Sequence, residues 1–214
     1  GYNQLNRLTS IIQRRGNEAP FASYTYTLDA VGNRTRVVEV DGSATEWTYD
    51  AAYRLLSETR RTGTGVVDYT ASYTYDPMGN RLSRTVNSRT TTYTYNSLDQ
   101  LITAGTAQYR YDGRGNLAEV RDGNRVTAYR FDAADRLVAV TMPDGTQVGY
   151  SYDASGNRIA RTVGPTMTRY LWDEASPYGD VVLEINGDGA IEASYVYADT
   201  EILSLTRGGA TSYY

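Results

Sequence analysis

A tyrosine–aspartate signature recurs about every 20 residues along this chain, and no other feature limits its possible folds as tightly. Clear copies are Tyr73-Thr-Tyr75-Asp76-Pro-Met-Gly79-Asn80-Arg81-Leu82, Tyr109-Arg-Tyr111-Asp112-Gly-Arg-Gly115-Asn116-Leu117 and Tyr150-Ser-Tyr152-Asp153-Ala-Ser-Gly156-Asn157-Arg158-Ile159. Looser copies surround Asp29, Asp50, Asn96 and Asp132. Aligned on the second aromatic or its substitute, the copies fall at positions 28, 49, 75, 95, 111, 131, 152, 172 and 197. Self-similarity of this length marks a repeat architecture, in which each unit is stabilised by its neighbours and not by a common centre.

Each unit joins strand chemistry to turn chemistry. Alternating aromatics, as in Ser72-Tyr73-Thr74-Tyr75, place both rings on one face and the hydroxyl residues on the other. Leu82-Ser-Arg84-Thr-Val86 and Leu137-Val-Ala139-Val-Thr141 resume strand composition after the turn. The intervening Asp-x-x-Gly-Asn demands a chain reversal, with Gly or Asn at positive φ. Asp41-Gly42, Asp122-Gly123, Asp144-Gly145 and Asp188-Gly189 supply hairpin turns between units. The reading is therefore all-β: tandem hairpins in one long antiparallel meander, a single repeat array over residues 1–214. Across Ala44–Glu58, the spacing of Trp47, Ala51 and Leu55 also fits a helix, but the repeat register assigns this stretch to strands.

Gly-bearing turns at Gly32, Gly79, Gly115 and Gly156 alternate with turns carrying Tyr53, Asp99 or Asp135 instead. The alternation predicts a paired period with two turn geometries. Nine units of two strands make about 18 strands, or a strip of about 85 Å at the usual ~4.8 Å strand separation. Open sheets rarely exceed about 10 strands without curling, and no helical segment is available to cover a face. The strip is expected to curl as part of a larger container.

Composition removes several classes of chemistry. All 21 basic residues are arginine, and the chain has neither His nor Cys. His-based triads, Cys nucleophiles, disulfides and the common zinc sites are out of reach. A net charge of −4 argues against a general nucleic-acid or anionic-membrane surface. No apolar run is long enough to span a bilayer as a helix, and no signal peptide is visible. The partial repeat at Gly1–Leu8 and the aromatic end at Tyr213-Tyr214 suggest a fragment of a larger shell.

The ten-residue motif Tyr-x-Tyr-Asp-x-x-Gly-Asn-Arg-Leu resembles the YD repeat of the Rhs family, which includes bacterial polymorphic toxins, insecticidal toxin complexes and teneurins. The stretch 170–214, with Tyr170-Leu-Trp172-Asp173, Tyr195-Val-Tyr197 and Gly208-Gly209, resembles the late part of an Rhs core. The resemblance implies a strip spiralling into a hollow β-shell that encloses a C-terminal toxin. It also implies a secreted or delivered protein whose partners are the remainder of its own shell, the toxin and a secretion machinery. Self-cleavage in such proteins uses an Asp-Pro-x-Gly element; Asp76-Pro77-Met78-Gly79 matches its letters but lies inside an ordinary repeat, so no catalytic role passes to it.

Other sites carry little weight. One Asp and one Asn per turn fall short of the six to eight oxygens calcium takes. Asp173, Glu174, Asp180 and Glu184, around a loop with Pro177, read as a solvated insertion. The Tyr ladder, including Tyr109 and Tyr129, suits a carbohydrate-binding adhesion module as the alternative, yet cross-strand packing alone accounts for it. Arg34, Arg54, Arg81, Arg136 and Arg158 are expected to pair with the repeat Asp or stack on Tyr. The expectation is a non-enzymatic structural protein with no catalytic, metal or cofactor residues.

Overall fold

The structure, a computed structural model, describes residues 1–176, 179–198 and 201–214. The chain forms two compact units, residues 1–105 and 106–214. The first contains β1 (Ser10–Gln13), β2 (Ala22–Leu28), β3 (Arg34–Glu39), β4 (Ala44–Tyr49), β5 (Leu55–Arg61), β6 (Val67–Tyr75), β7 (Arg81–Val86), β8 (Arg89–Tyr95) and β9 (Leu101–Ala104). The second contains β10 (Ala107–Tyr111), β11 (Leu117–Asp122), β12 (Arg125–Phe131), β13 (Leu137–Thr141), β14 (Gln147–Tyr152), β15 (Arg158–Val163), β16 (Thr166–Asp173), β17 (Asp180–Asn186), β18 (Ile191–Ala198), β19 (Glu201–Arg207) and β20 (Ala210–Tyr213). Within each unit every strand pairs antiparallel with the next in sequence, so each is a meander.

The all-β expectation holds, with twenty strands among the described residues where nine units of two strands predicted about 18. Ala44–Glu58 is a hairpin, β4 turning into β5, and the helical spacing there does not express itself. Burial explains why the repeat period prevails. Only Val37, Ala44, Ala71, Val140, Val148 and Ala193 are buried hydrophobics among the described residues, so neither unit has a large central core. A solitary amphipathic helix would have no such core to bury its stripe against.

The two faces differ as the alternation requires. On one, hydroxyls meet across strand pairs: Thr48 with Ser57 at 2.6 Å, Thr74 with Ser83 at 2.6 Å and Thr94 with Thr103 at 2.7 Å. On the other, the tyrosines are half-buried.

Each aromatic before a repeat Asp sits at a bulge. Thr74 opposes Ser83 but Tyr75 opposes Arg81, leaving Leu82 as the extra residue. The same shift occurs at Thr27/Leu28, Thr48/Tyr49, Thr94/Tyr95, Arg130/Phe131 and Ser151/Tyr152. A bulge adds right-handed twist and lets a small hairpin loop close without splaying its strands.

The loops correct the expectation of two alternating geometries. In Gly-bearing loops the Gly has positive φ: 108° at Gly32, 98° at Gly79, 89° at Gly115 and 91° at Gly156. In the others, Tyr53 (62°), Asp99 (58°) and Asp135 (58°) take the same position at positive φ. Both kinds carry the same backbone bonds: Gly79 N–H to Asp76 O at 3.1 Å, and Asp99 N–H to Asn96 O at 3.1 Å. The seven loops from Asp29 to Asn157 therefore share one class, a reversal ending in a positive-φ residue.

Nothing lies within 4 Å of a Cβ built on Gly79, so Gly79→Val would suffer from backbone conformation alone. The expected loss is about 1–2 kcal/mol. In a repeat protein it should concentrate locally: hydrogen exchange should show protection lost first around residues 73–86. Uniform loss along the chain would contradict this.

Candidate functional site

The repeat loop is the chemically organised part of the units, and it is built round one carboxylate, or round the Asn96 amide in one copy. Asp76 Oδ1 accepts the Asn80 backbone N–H at 2.8 Å, and Oδ2 accepts the Asn80 side-chain amide at 3.0 Å. Asp153 binds Asn157 in the same way, at 2.8 and 3.1 Å. Where Arg replaces Asn, the guanidinium takes its place: Arg54 Nε lies 2.7 Å from Asp50 Oδ2 and Arg136 Nε 2.8 Å from Asp132 Oδ2. These bonds favour the charged form. The Asp50, Asp112 and Asp132 carboxyls are held below the ordinary value of 3.8 chiefly by the backbone N–H groups of Arg54, Asn116 and Arg136. At Asp76 and Asp153 desolvation is the largest influence and pushes upward, but the combined hydrogen bonds overcome it.

The polar aromatic before the loop reaches back to the preceding unit in several copies. Tyr49 OH donates to Arg34 O at 2.8 Å, Tyr75 OH to Leu55 O at 2.8 Å, and Tyr152 OH to Leu137 O at 2.7 Å. Trp172 performs the same task through Nε1, 3.0 Å from Arg158 O. The five repeat arginines all lie over rings: Arg34 over Tyr26 and Arg81 over Tyr93 at 4.4 Å, Arg54 over Tyr75 and Arg136 over Tyr152 at 5.0 Å, and Arg158 over Tyr170 at 5.0 Å. Both expected roles, pairing with Asp and stacking on Tyr, are realised, and Arg54 and Arg136 fill both at once.

What alternates is the link from one loop to the next. Arg54 Nη1 donates to Asp76 O at 2.8 Å, so an Arg-bearing loop grips the following Gly-Asn loop through a carbonyl. Asn80 Nδ2 then donates to Asp99 Oδ1 at 2.8 Å, so the Gly-Asn loop grips the next through a carboxylate. In the second unit Asn116 Nδ2 reaches Asp135 Oδ1 at 2.7 Å and Arg136 Nη1 reaches Asp153 O at 3.1 Å. Asp99 and Asp135 thus occupy a backbone conformation that favours glycine because their carboxylates are acceptors there. Sequence reasoning missed this, although the recurrence of Asp where other copies have Gly was visible.

The weaker candidates resolve into local bonding. Asp76-Pro77-Met78-Gly79 is a repeat loop like the rest. Asp173 and Asp180 are register partners, with Asp180 Oδ2 accepting from Ser176 Oγ at 2.6 Å. Glu184 lies apart from them, bound by Tyr195 OH at 2.5 Å and by Arg207 at 3.0 Å. Pro177 lies outside the described residues. No group of three or more acidic side chains able to hold a metal occurs among the described residues, which also contain no helix able to cross a membrane.

Residues 44–177, more than half of the chain, match the teneurin YD-shell family model. The whole chain is 31% identical over 217 residues to the tRNA3(Ser)-specific nuclease WapA of Bacillus spizizenii, and spans 7% of its length. It is 31% identical over 158 residues to the tRNA nuclease WapA of Bacillus subtilis, covering 71% of this chain and 6% of that protein. Among solved structures, TcdB2-TccC3 without its hypervariable C-terminal region aligns over 93% of this chain and 14% of that one, with a TM-score of 0.50 at 14% identity, a likeness of fold.

Two predictions follow from the loops. In a double-mutant cycle, Asn80→Ala and Asp99→Gly should couple by about 0.5–1 kcal/mol. Asp99→Gly alone should cost little, since relief of positive φ offsets the lost bond; additive effects would mean that the link contributes nothing. Because the loop carboxyls are depressed in the folded state, their contribution is complete above the ordinary value of 3.8 and is lost as pH falls through the lowered values. With neither His nor Cys present, thermal unfolding should be flat between about pH 5 and 8 and fall only below about 4.

Proposed function

Since the chain belongs to the teneurin YD-shell family, we propose that it is a wall segment of an Rhs-type shell that sequesters a C-terminal toxin until delivery. The observation carrying this reading is the loop-to-loop bonding. Tyrosine hydroxyls, arginine guanidiniums and asparagine amides join each hairpin to the next, giving a continuous surface whose strength lies in its connections. Both units use the same repeat, which supports treating residues 1–214 as a single array.

The wall role is structural and the chain contributes no catalytic residue. The nuclease activity in the names of the two Bacillus relatives belongs, on this reading, to parts of those proteins outside the small fraction matched here. Its partners are the rest of its own shell and the enclosed toxin, and the intact protein is secreted or delivered by a secretion machinery. The adhesion alternative is disfavoured by the rings themselves. The Tyr75 and Tyr152 hydroxyls are spent on backbone carbonyls, and one face of each ring lies under a guanidinium, leaving little ring surface for a sugar.

Limited proteolysis of the full-length protein provides the test. The C-terminal domain should resist protease in the intact protein and become digestible when the wall is opened by denaturant. Equal digestion of the domain in both states would sink the enclosure reading. Saturable binding of a defined glycan, lost in Tyr109→Ala and Tyr129→Ala variants that still fold, would favour adhesion instead.

A further inference from the structure

Eleven of the 21 arginines pair with a carboxylate or stack on a ring among the described residues, and of the other ten, Arg84 and Arg89 are neighbours on one face. Eight lie within ion-pair distance of a carboxylate: Arg36, Arg54, Arg60, Arg110, Arg114, Arg121, Arg136 and Arg207. Arg84 on β7 and Arg89 on β8 form no such pair among the described residues. Arg84 opposes Tyr73 on one side and Thr91 on the other, while Val86 opposes Arg89. Arg84 and Arg89 are therefore diagonal neighbours on one face, with backbones roughly 7–8 Å apart, within reach of two long side chains. Together with Val86, Asn87 and Thr91 they line an open depression of about 550 Å³.

The setting holds the Arg84 guanidinium and fixes the backbone that carries Arg89. The Tyr69 and Tyr73 phenols flank the Arg84 guanidinium and raise its pKa. Arg89 follows a two-residue turn, Asn87-Ser88, with φ of 44° and 70°. That turn is tied down by Asn87 N–H to Thr70 O at 3.0 Å and by Thr70 N–H to Asn87 Oδ1 at 2.8 Å. With its oxygen engaged, the Asn87 side chain has its amide nitrogen left as a donor. Of the acidic residues on the neighbouring strands, Asp68 lies 3.9 Å from Arg60 and Glu58 is opposite Ala71, and neither forms an ion pair with Arg84 or Arg89 among the described residues. Two guanidiniums so placed repel each other until an anion lies between them, and their planar forks match a carboxylate or phosphate.

We propose that Arg84 and Arg89 form an oxyanion site on this face, taking a phosphate group or the carboxylate of a chain lying against the sheet. The proposal stands independently of toxin enclosure. At low ionic strength, inorganic phosphate titrated into the isotope-labelled protein should give saturable NMR shifts at Arg84, Asn87 and Arg89. Arg89→Met, at an exposed position, should weaken binding about tenfold, the loss expected for a charge-assisted contact, whereas Arg89→Lys should retain part of it. Arg84→Met should do likewise if its spectrum remains folded. Arg14→Met removes the same charge elsewhere and should leave binding unchanged. Acetate displacing phosphate identifies carboxylate as a competent ligand; phosphate binding that acetate does not displace confines the site to phosphate. Linear, non-saturating shifts, or equal weakening by Arg14→Met and Arg89→Met, would overturn the assignment.

Discussion

The side-chain oxygen that closes a repeat loop, an aspartate carboxylate in most copies and the Asn96 amide in one, is the interaction on which the rest depends. The carboxylate gathers backbone N–H groups with one oxygen and a side-chain donor with the other, as Asp76 does with Asn80. In doing so it fixes the bulge that places the preceding aromatic, and that aromatic then reaches the unit before it. Local closure and contact between neighbours are therefore consequences of one side chain. A sheet with few buried residues needs such an arrangement, because hydrophobic burial at a central core is not available to hold distant strands together.

Much of this was legible in the sequence for a physical reason. Side-chain period in a strand is two, so Tyr73 and Tyr75 had to share a face, and Thr74 had to oppose its partner on the other. A positive-φ requirement also writes itself into sequence as glycine, so Gly79 and its equivalents were readable. The loop-to-loop bonds were not. Asn80 and Asp99 are 19 residues apart, and their meeting depends on strand register and on the extra residue at the bulge. Asp99 was also misread as a different kind of turn, because a residue at positive φ that is not glycine hides the conformation it adopts. The pairing of Arg84 with Arg89 across a hairpin was invisible for the same reason: it emerges only once Asn87-Ser88 is known to be the turn.

The alternation of loop types then has a cause. A Gly-Asn loop offers a short amide that can serve its own Asp and the next unit's carboxylate together, as Asn80 does at 3.0 and 2.8 Å. An Arg loop offers a longer fork, one arm for its own Asp and another for a carbonyl of the following loop. The acceptor differs with the donor: Asn80 reaches a side-chain carboxylate, Arg54 a backbone oxygen. Asp at the positive-φ position is therefore useful after a Gly-Asn loop. After an Arg loop the acceptor is supplied by any residue's backbone, and glycine at that position relieves the strain. The chain follows this rule at Asn80–Asp99 and Asn116–Asp135, and at Arg54 and Arg136, which are followed by Gly79 and Gly156.

A unit without the tyrosine hydroxyl tests whether these bonds are interchangeable. Phe131 stands where most copies have Tyr, and without a hydroxyl it makes no hydrogen bond back to its neighbour. At that place the preceding loop carries Arg114, which donates to Asp132 O at 2.6 Å and Ala133 O at 3.1 Å, and whose Nε lies 3.1 Å from Asp135. Arg114 sits at a loop tip where Val31, Met78 and Leu98 stand in the first unit, none of which has a side-chain donor. The bond lost at the aromatic is thus matched by new ones at the loop, across the same pair of hairpins. Across this pair of hairpins, loop-to-loop bonds stand in for the tyrosine hydroxyl.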